Sequence, residues 1–374
     1  MKKNTPVRGL MLSLGAVAVA ASMIGCSGVG GGAVTVDLGS GPAQAGTVKA
    51  GALSGVTLTL SSYGGAYQDG QVSAASDPFA KESGATMLSD GPTEYSKIKA
   101  QVDNKNVTWD VVDTDAIWAA TQCGDDGLLM KIDTTIVDTS KIPDGLAGDC
   151  YVPAMQYGYT IMYNTEKYPV APTGWNDFFD TTKFPGSRAV VGFDDVGPGL
   201  LEGALLADGV AQDSLYPLDT ERAYAKLDTI RKNLIYWTTG AQSQQMIESG
   251  EADMAFVWAG RGYGAAANGA PYKPIWNQAF VVMDSLAVPK NSKNPDAAFA
   301  YINYYLGAAQ QAKLTELTSY SPVNVDAQPE LDALAKGYLI TDPAIATQLV
   351  VPDTAWWGTN YDVQLERWMK WLHG

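Results

Sequence analysis

Carboxylates and aromatic rings are the groups in this sequence best placed to do chemistry. Asp113 and Asp115 flank Thr114, Asp194 adjoins Asp195, and Asp284 lies inside the apolar run 279–288. Paired carboxylates can act as general acid and base, or hold a cation between them. Trp258 precedes Arg261 by three residues. A Trp or Tyr face attracts a desolvated cation by about 1–2 kcal/mol, and a guanidinium grips a carboxylate through two parallel bonds. Tyr63-Gly64-Gly65 adds glycines at a helix start, where backbone N–H groups can approach an anion. Other chemistries are poorly supplied. His373 is the one histidine in 374 residues, which removes a His-based triad and an HExxH zinc site. Forty acidic side chains against 25 basic ones give a net charge of −15, which repels nucleic acid. Gly197-Pro198-Gly199 and Gly260/Gly262/Gly264 match neither GxGxxG nor a phosphate-binding P-loop. Asp113 and Asp115 lack the length and spacing of a calcium loop. No metal and no cofactor is expected.

The elements that must position these groups alternate between strand and helix. Strands are read at 56–61, 87–89, 109–113, 159–163, 189–193, 252–258 and within 279–288. Helices are read at 66–83, 94–102, from 174, from 200, at 221–232, 242–248 and 296–314, and at the C-terminal 361–372. This alternation predicts an α/β fold with largely parallel strands. Ligands of open α/β sheets sit beyond the carboxyl ends of strands. Those ends carry Tyr63/Gly64/Gly65, Asp113/Thr114/Asp115, Asp194/Asp195 and Trp258/Arg261, a set better suited to binding than to catalysis.

Residues 1–25 read as an export signal: Lys2, Lys3 and Arg8 precede an apolar stretch too short for a membrane span. Met23-Ile24-Gly25-Cys26 resembles a bacterial lipobox, which makes Cys26 the site of lipidation after cleavage. Residues 1–25 hold three basic and no acidic groups, so the remainder carries −18. Residues 26–55 are rich in Gly, Ala, Ser and Thr without periodicity. They are read as a flexible tether of about 30 Å reach. Cys123 and Cys150, 27 apart, are expected to pair outside the cytoplasm, which would contribute about 3 kcal/mol; two free buried thiols are the alternative.

Six stretches in order resemble the bacterial spermidine/putrescine-binding proteins of ABC importers. They are residues 94–133 (EYSKIKAQV…WDVVDTDAIW…GLLMKID), 152–164, 174–185, 247–264 (IESGEADMAFVWAGRGYG), 283–289 (MDSLAVP) and 319–324 (SYSPVN). The resemblance implies a two-lobed type II periplasmic-binding-protein fold with a hinge and an inter-lobe cleft. Lobe 1 would comprise 56–157 and 283–325, and lobe 2 would comprise 158–282 and 326–374. The chain would cross near Gly158, near Val282 and after Tyr320. It also implies that Tyr63, Asp113, Thr114, Asp115, Tyr157, Trp258, Asp284 and Tyr320 face the ligand, with Asp284 clamping an ammonium.

Two positions depart from the polyamine-binding pattern. Val282 stands in place of an aromatic residue, and Gly197-Pro198-Gly199 replaces an acidic group. Arg261 is a poor neighbour for a polycation. The Trp258/Arg261/Asp284 set resembles the branch that binds 4-aminobutyrate, with Arg261 on carboxylate and Asp284 on ammonium. Plainer roles compete: Arg261 at the surface or paired with Asp194 or Asp195, and Trp258 in the core. Tyr304-Tyr305, which resemble the paired tyrosines of ferric-ion binders, fit helix packing better. Trp356-Trp357, Trp368 and Trp371 are likewise read as packing. A glycosidase using paired carboxylates is the enzymatic alternative, and a chemoreceptor subunit is another. The preferred expectation is a monomeric, lipid-anchored binding subunit of an ABC importer on the outer face of the cytoplasmic membrane. It would hand a small amine to a permease driven by a cytoplasmic ATPase, with no covalent chemistry.

Overall fold

The computed structural model describes residues 36–193 and 196–374; the expected signal, Cys26 and the Asp194-Asp195 pair lie outside them. Eight strands form one sheet: β1 (Thr57–Ser61), β2 (Thr86–Asp90), β3 (Val111–Asp115), β4 (Val152–Asn164), β5 (Arg188–Val191), β6 (Leu234–Trp237), β7 (Met254–Trp258) and β8 (Tyr272–Ala287). Their order is β2-β1-β3-β8-β4-β7-β5-β6. At one end β2, β1 and β3 are parallel; at the other, β5 is parallel to both β6 and β7. Each parallel set is alternated with helices, as the sequence pattern requires.

The two sets are joined by β4 and β8, which run antiparallel to one another from Val152↔Leu286 to Asn164↔Tyr272. β3 pairs with one part of β8, and β7 with one part of β4. In the middle, Gly158 pairs with Val281 and Tyr157 with Val282. Glycine is required at 158, because a Cβ there would come within 2.5 Å of the Trp276 ring. Ladder shifts occur between Pro153 and Met155 and between Tyr159 and Ile161. A third contact is the bridge Gln156↔Ser321.

Several expected elements change. β4 and β8 are far longer than read, and β6, with sequence LIYW, was not read at all. The expected helix 296–314 is two helices, Pro295–Tyr305 and Ala308–Thr318. Gly307 between them is extended (ψ 146°), and its Cα lies so close to Gly46 that a Cβ would meet Gly46 Cα at 2.3 Å. The same contact overturns the tether reading for residues 36–55. Asn303 Nδ2 donates to the carbonyls of Gln44 (2.9 Å) and Thr47 (3.1 Å). Gly46 N donates to Asn303 O, and Ala45 N to Asp138 Oδ2 at 3.2 Å. A segment without periodicity is held here through its backbone groups, which sequence periodicity does not register.

Cys123 and Cys150 form a disulfide, with Cα atoms 5.5 Å apart. Tyr304 and Tyr305 are buried within their helix, so packing accounts for them. Trp357 and Trp368 are also buried in the C-terminal helix Thr354–His373. Their indole N–H groups donate to Glu202 Oε1 (2.8 Å) and Phe193 O (3.0 Å).

Candidate functional site

The β3/β8 register sets Asp115 directly opposite Asp284. On the far side of β8, Tyr157 of β4 donates from Oη to Asp284 Oδ1 at 3.4 Å. Asp115 and Asp284 share a small cavity of about 30 Å³ with Tyr63, Tyr157 and Trp258. Trp258 meets Tyr63 edge-on at 5.6 Å and Tyr157 edge-on at 6.4 Å. Tyr63 is positioned from below, because the backbone N–H of Asp115 donates to its hydroxyl and to that of Tyr95, both at 3.1 Å. Tyr95 in turn stacks on Trp118 with centroids 4.2 Å apart. Asp115 Oδ1 also caps the Ala116–Thr121 helix, accepting from Ile117 N at 2.7 Å and Trp118 N at 3.3 Å. The result is a rigid aromatic enclosure around two carboxylates, a setting in which an ammonium gains from charge and ring faces together. Burial, then the charges of Asp284 and Asp115, push the Tyr157 hydroxyl well above its ordinary pKa. It therefore stays a neutral donor at every physiological pH.

Other expected contacts lie elsewhere. Asp113 is fully buried away from the cavity. Its Oδ2 accepts from Tyr67 (2.7 Å), Gln71 (2.6 Å) and Ser62 (3.3 Å), while its Oδ1 has no partner. Burial raises its pKa to about 7 against the pull of those bonds. Thr114 is buried against Ser285, with hydroxyls 3.1 Å apart. Tyr320 stands behind Tyr157 and Tyr67, at centroid distances of 5.3 Å from each. Gly64 and Gly65 border an open groove that Tyr63 also lines. There Gly64 N donates to Gln68 Oε1 at 2.9 Å, so that N–H is not offered to an anion.

Arg261 is neither a surface residue nor on the cavity wall. It is 2% exposed and packed between Gly65 and Gly240, the first residues of the Gly65–Gln71 and Gly240–Glu248 helices. A Cβ on Gly240 would meet Arg261 Nε at 2.5 Å and the Trp258 ring at 2.8 Å, so Arg261 and Trp258 are neighbours across that glycine. Arg261 Nη2 donates to Gly64 O at 2.9 Å, and its Nε has no partner. Among the described residues no carboxylate forms an ion pair with it. A buried, incompletely bonded guanidinium is costly unless an anion joins it.

The cavity also takes residues that were not singled out in sequence. Tyr159 stacks on Phe256 at 3.8 Å and lines the cavity with Val191 and Phe193. Tyr159 lies two residues after Tyr157, so strand alternation puts both on one face; that signal was present in the sequence.

A mixed sheet of two parallel sets joined by two long strands, with a small aromatic and acidic cavity at the join, is the architecture of a ligand-binding protein. The chain belongs to the bacterial extracellular solute-binding protein family, whose model matches residues 74–347. It is 29% identical to a gamma-aminobutyric acid-binding protein of Pseudomonas aeruginosa, over 84% of this chain and 90% of that one. It is 27% identical to spermidine/putrescine-binding periplasmic protein 1 of Haemophilus influenzae, over 80% and 83%. A solved GABA receptor is 40% identical, with a TM-score of 0.76, over 84% of this chain and 97% of that one. The fold is the two-lobed periplasmic-binding-protein type, and the chain is a solute-binding component of an ABC importer that presents a small ligand to a permease. Among the described residues, no helix is long and apolar enough to cross a membrane.

Proposed function

We propose that this chain captures a small zwitterionic amine, 4-aminobutyrate or a related amino acid, for import. One observation carries the reading: two carboxylates lie inside an aromatic cavity, while a buried arginine beside Trp258 keeps an unbonded Nε. The ammonium would sit at Asp284 and Asp115, ringed by Tyr63, Tyr157 and Trp258. The carboxylate would point toward Arg261, which lies off the cavity wall beside Trp258, and would complete its hydrogen bonding once the Trp258 ring shifts. The similarity to proteins named for 4-aminobutyrate supports this reading.

A polyamine is the second reading, favoured by the two cavity carboxylates and by the absence of a cationic side chain from the wall among the described residues. Calorimetric titration with 4-aminobutyrate, other ω-amino acids, betaines, putrescine and spermidine separates the two. The zwitterion reading expects amino acids to bind and Arg261→Ala to weaken them at least tenfold without weakening putrescine. Binding of polyamines alone would overturn it.

Closure would move lobe 1 (56–157 and 283–325) against lobe 2 (158–282 and 326–374), with β4 and β8 as the crossing strands. Residues 1–25 would be removed on export and Cys26 lipidated, holding a monomer at the outer face of the cytoplasmic membrane. Cys26→Ala should then release the protein from the membrane fraction of the cell.

A further inference from the structure

The small cavity adjoins a second, larger space. Asp115, Pro198 and Val282 line both. The second is a cleft of about 500 Å³, floored by β8 at Val281, Val282 and Met283. The Ala116–Thr121 helix forms one wall, and the start of the Thr354–His373 helix forms the other. Its side chains are mainly apolar, among them Ile117, Leu146 and Ala355. Val351 at the rim is 74% exposed.

Ligand pockets of small molecules usually span about 300–1,000 Å³, mostly apolar with a few polar groups that fix orientation. The inner cavity is far below that range and holds the orienting carboxylates. The outer cleft lies within the range and supplies the apolar wall. Pro198 and Val282, which line both spaces, are compact side chains with no polar group. The carboxylate that lines both is Asp115, so an arm that entered the outer cleft would leave from the ammonium end of the ligand. Arg261, behind Trp258, is not among the residues lining the outer cleft.

We infer that the outer cleft is a second compartment of the same site, and that it takes an uncharged apolar arm carried on the ammonium nitrogen. The ligand class is an N-substituted amino acid with an alkyl or aryl arm. This rests on the amine-binding reading above and narrows it. The head group occupies the inner cavity and the arm the adjoining cleft, so the arm adds no volume to the inner cavity.

The test uses the purified chain, 4-aminobutyrate and N-benzyl-4-aminobutyrate, with affinities from calorimetry. Ala120→Trp and Ala355→Trp fill the outer cleft from opposite walls, both at exposed positions where a large side chain can be carried without repacking the core. The expected result is that the wild-type chain binds the benzyl compound at least as tightly as 4-aminobutyrate. Each Trp variant should weaken the benzyl compound tenfold or more and change 4-aminobutyrate less than threefold. Binding of 4-aminobutyrate alone overturns the inference, as does benzyl affinity indifferent to both variants. If the variants impair uptake by cells and leave benzyl affinity unchanged, the cleft serves the permease and the inference fails. Binding of neither compound overturns the amine reading itself.

Discussion

Asp113 and Asp115 stand two residues apart on one strand and occupy opposite kinds of surroundings. Asp115 ends β3, caps a helix with one oxygen and looks into the ligand cavity across from Asp284. Asp113 is sealed under the Gly65–Gln71 helix, where Tyr67, Gln71 and Ser62 supply three donors to one oxygen and nothing to the other. One carboxylate faces the cavity, the other is sealed in the core. The lesson is that the end of a strand, rather than its acidic composition, decides which carboxylate a ligand can reach.

The largest expected effect tests the recognition side. Asp284→Asn should weaken amine binding by about 100-fold or more, the scale of a lost buried charge pair, with a melting temperature near that of the wild-type chain. Retained affinity would dissolve the distinction. Gly240→Ala comes next: its methyl group would press on Arg261 Nε and the Trp258 ring, and affinity should fall about tenfold, equivalent to about 1.4 kcal/mol. Change of Trp258 fluorescence without loss of affinity would place Arg261 outside recognition.

The architectural side predicts the reverse pattern. The Asp113 pKa is raised from 3.8 to about 7 by burial. Between those values the unfolded chain has released this proton and the folded chain has kept it. This group therefore favours the folded state fully below about pH 4, progressively less as pH rises to 7, and no less beyond that. Asp113→Asn, with its carbonyl at the Oδ2 position, accepts the same three bonds without a charge. It should melt higher than wild type at pH 8 and lose part of the pH 4–7 slope, with ligand affinity changed less than threefold. A large loss of affinity would move Asp113 to the recognition side. The smallest effect concerns residues 36–55: Asn303→Ala removes two hydrogen bonds to that segment. It should cost about 1–2 kcal/mol and speed proteolysis within the segment, leaving affinity intact.

Much of the site was legible because strand ends in α/β sheets carry ligands, and Tyr63, Asp115 and Trp258 stand at such ends. Asp284 was legible as a carboxylate within an apolar run. Glycine hid one helix. Gly260, Gly262 and Gly264 carry no helix signal of their own, yet they lie in the Ala259–Ala267 helix. A Cβ on them would strike Tyr320 at 2.3 Å, Met162 Sδ at 2.6 Å and Gln244 at 3.0 Å. They mark close helix packing, which local propensity scores as a helix breaker. β4 and β8 extended past their local signals because pairing with distant strands carries them through Pro153, Gly158 and Gln278, the last at φ 59°. Arg261 was expected in the cleft, and its burial off the cavity wall was not legible. Its place behind Trp258 depends on two glycines far apart in sequence.

The joining of the two parallel strand sets by β4 and β8 has a mechanical meaning under the proposed lobe division. The β4/β8 ladder shifts between Tyr159 and Ile161, where pairing with β8 is locally released while β4 stays paired with β7. Tyr159 is also a cavity wall. A ligand that fixed this ring would therefore also fix the strand that crosses between the lobes, at the point where its hold on β8 is weakest.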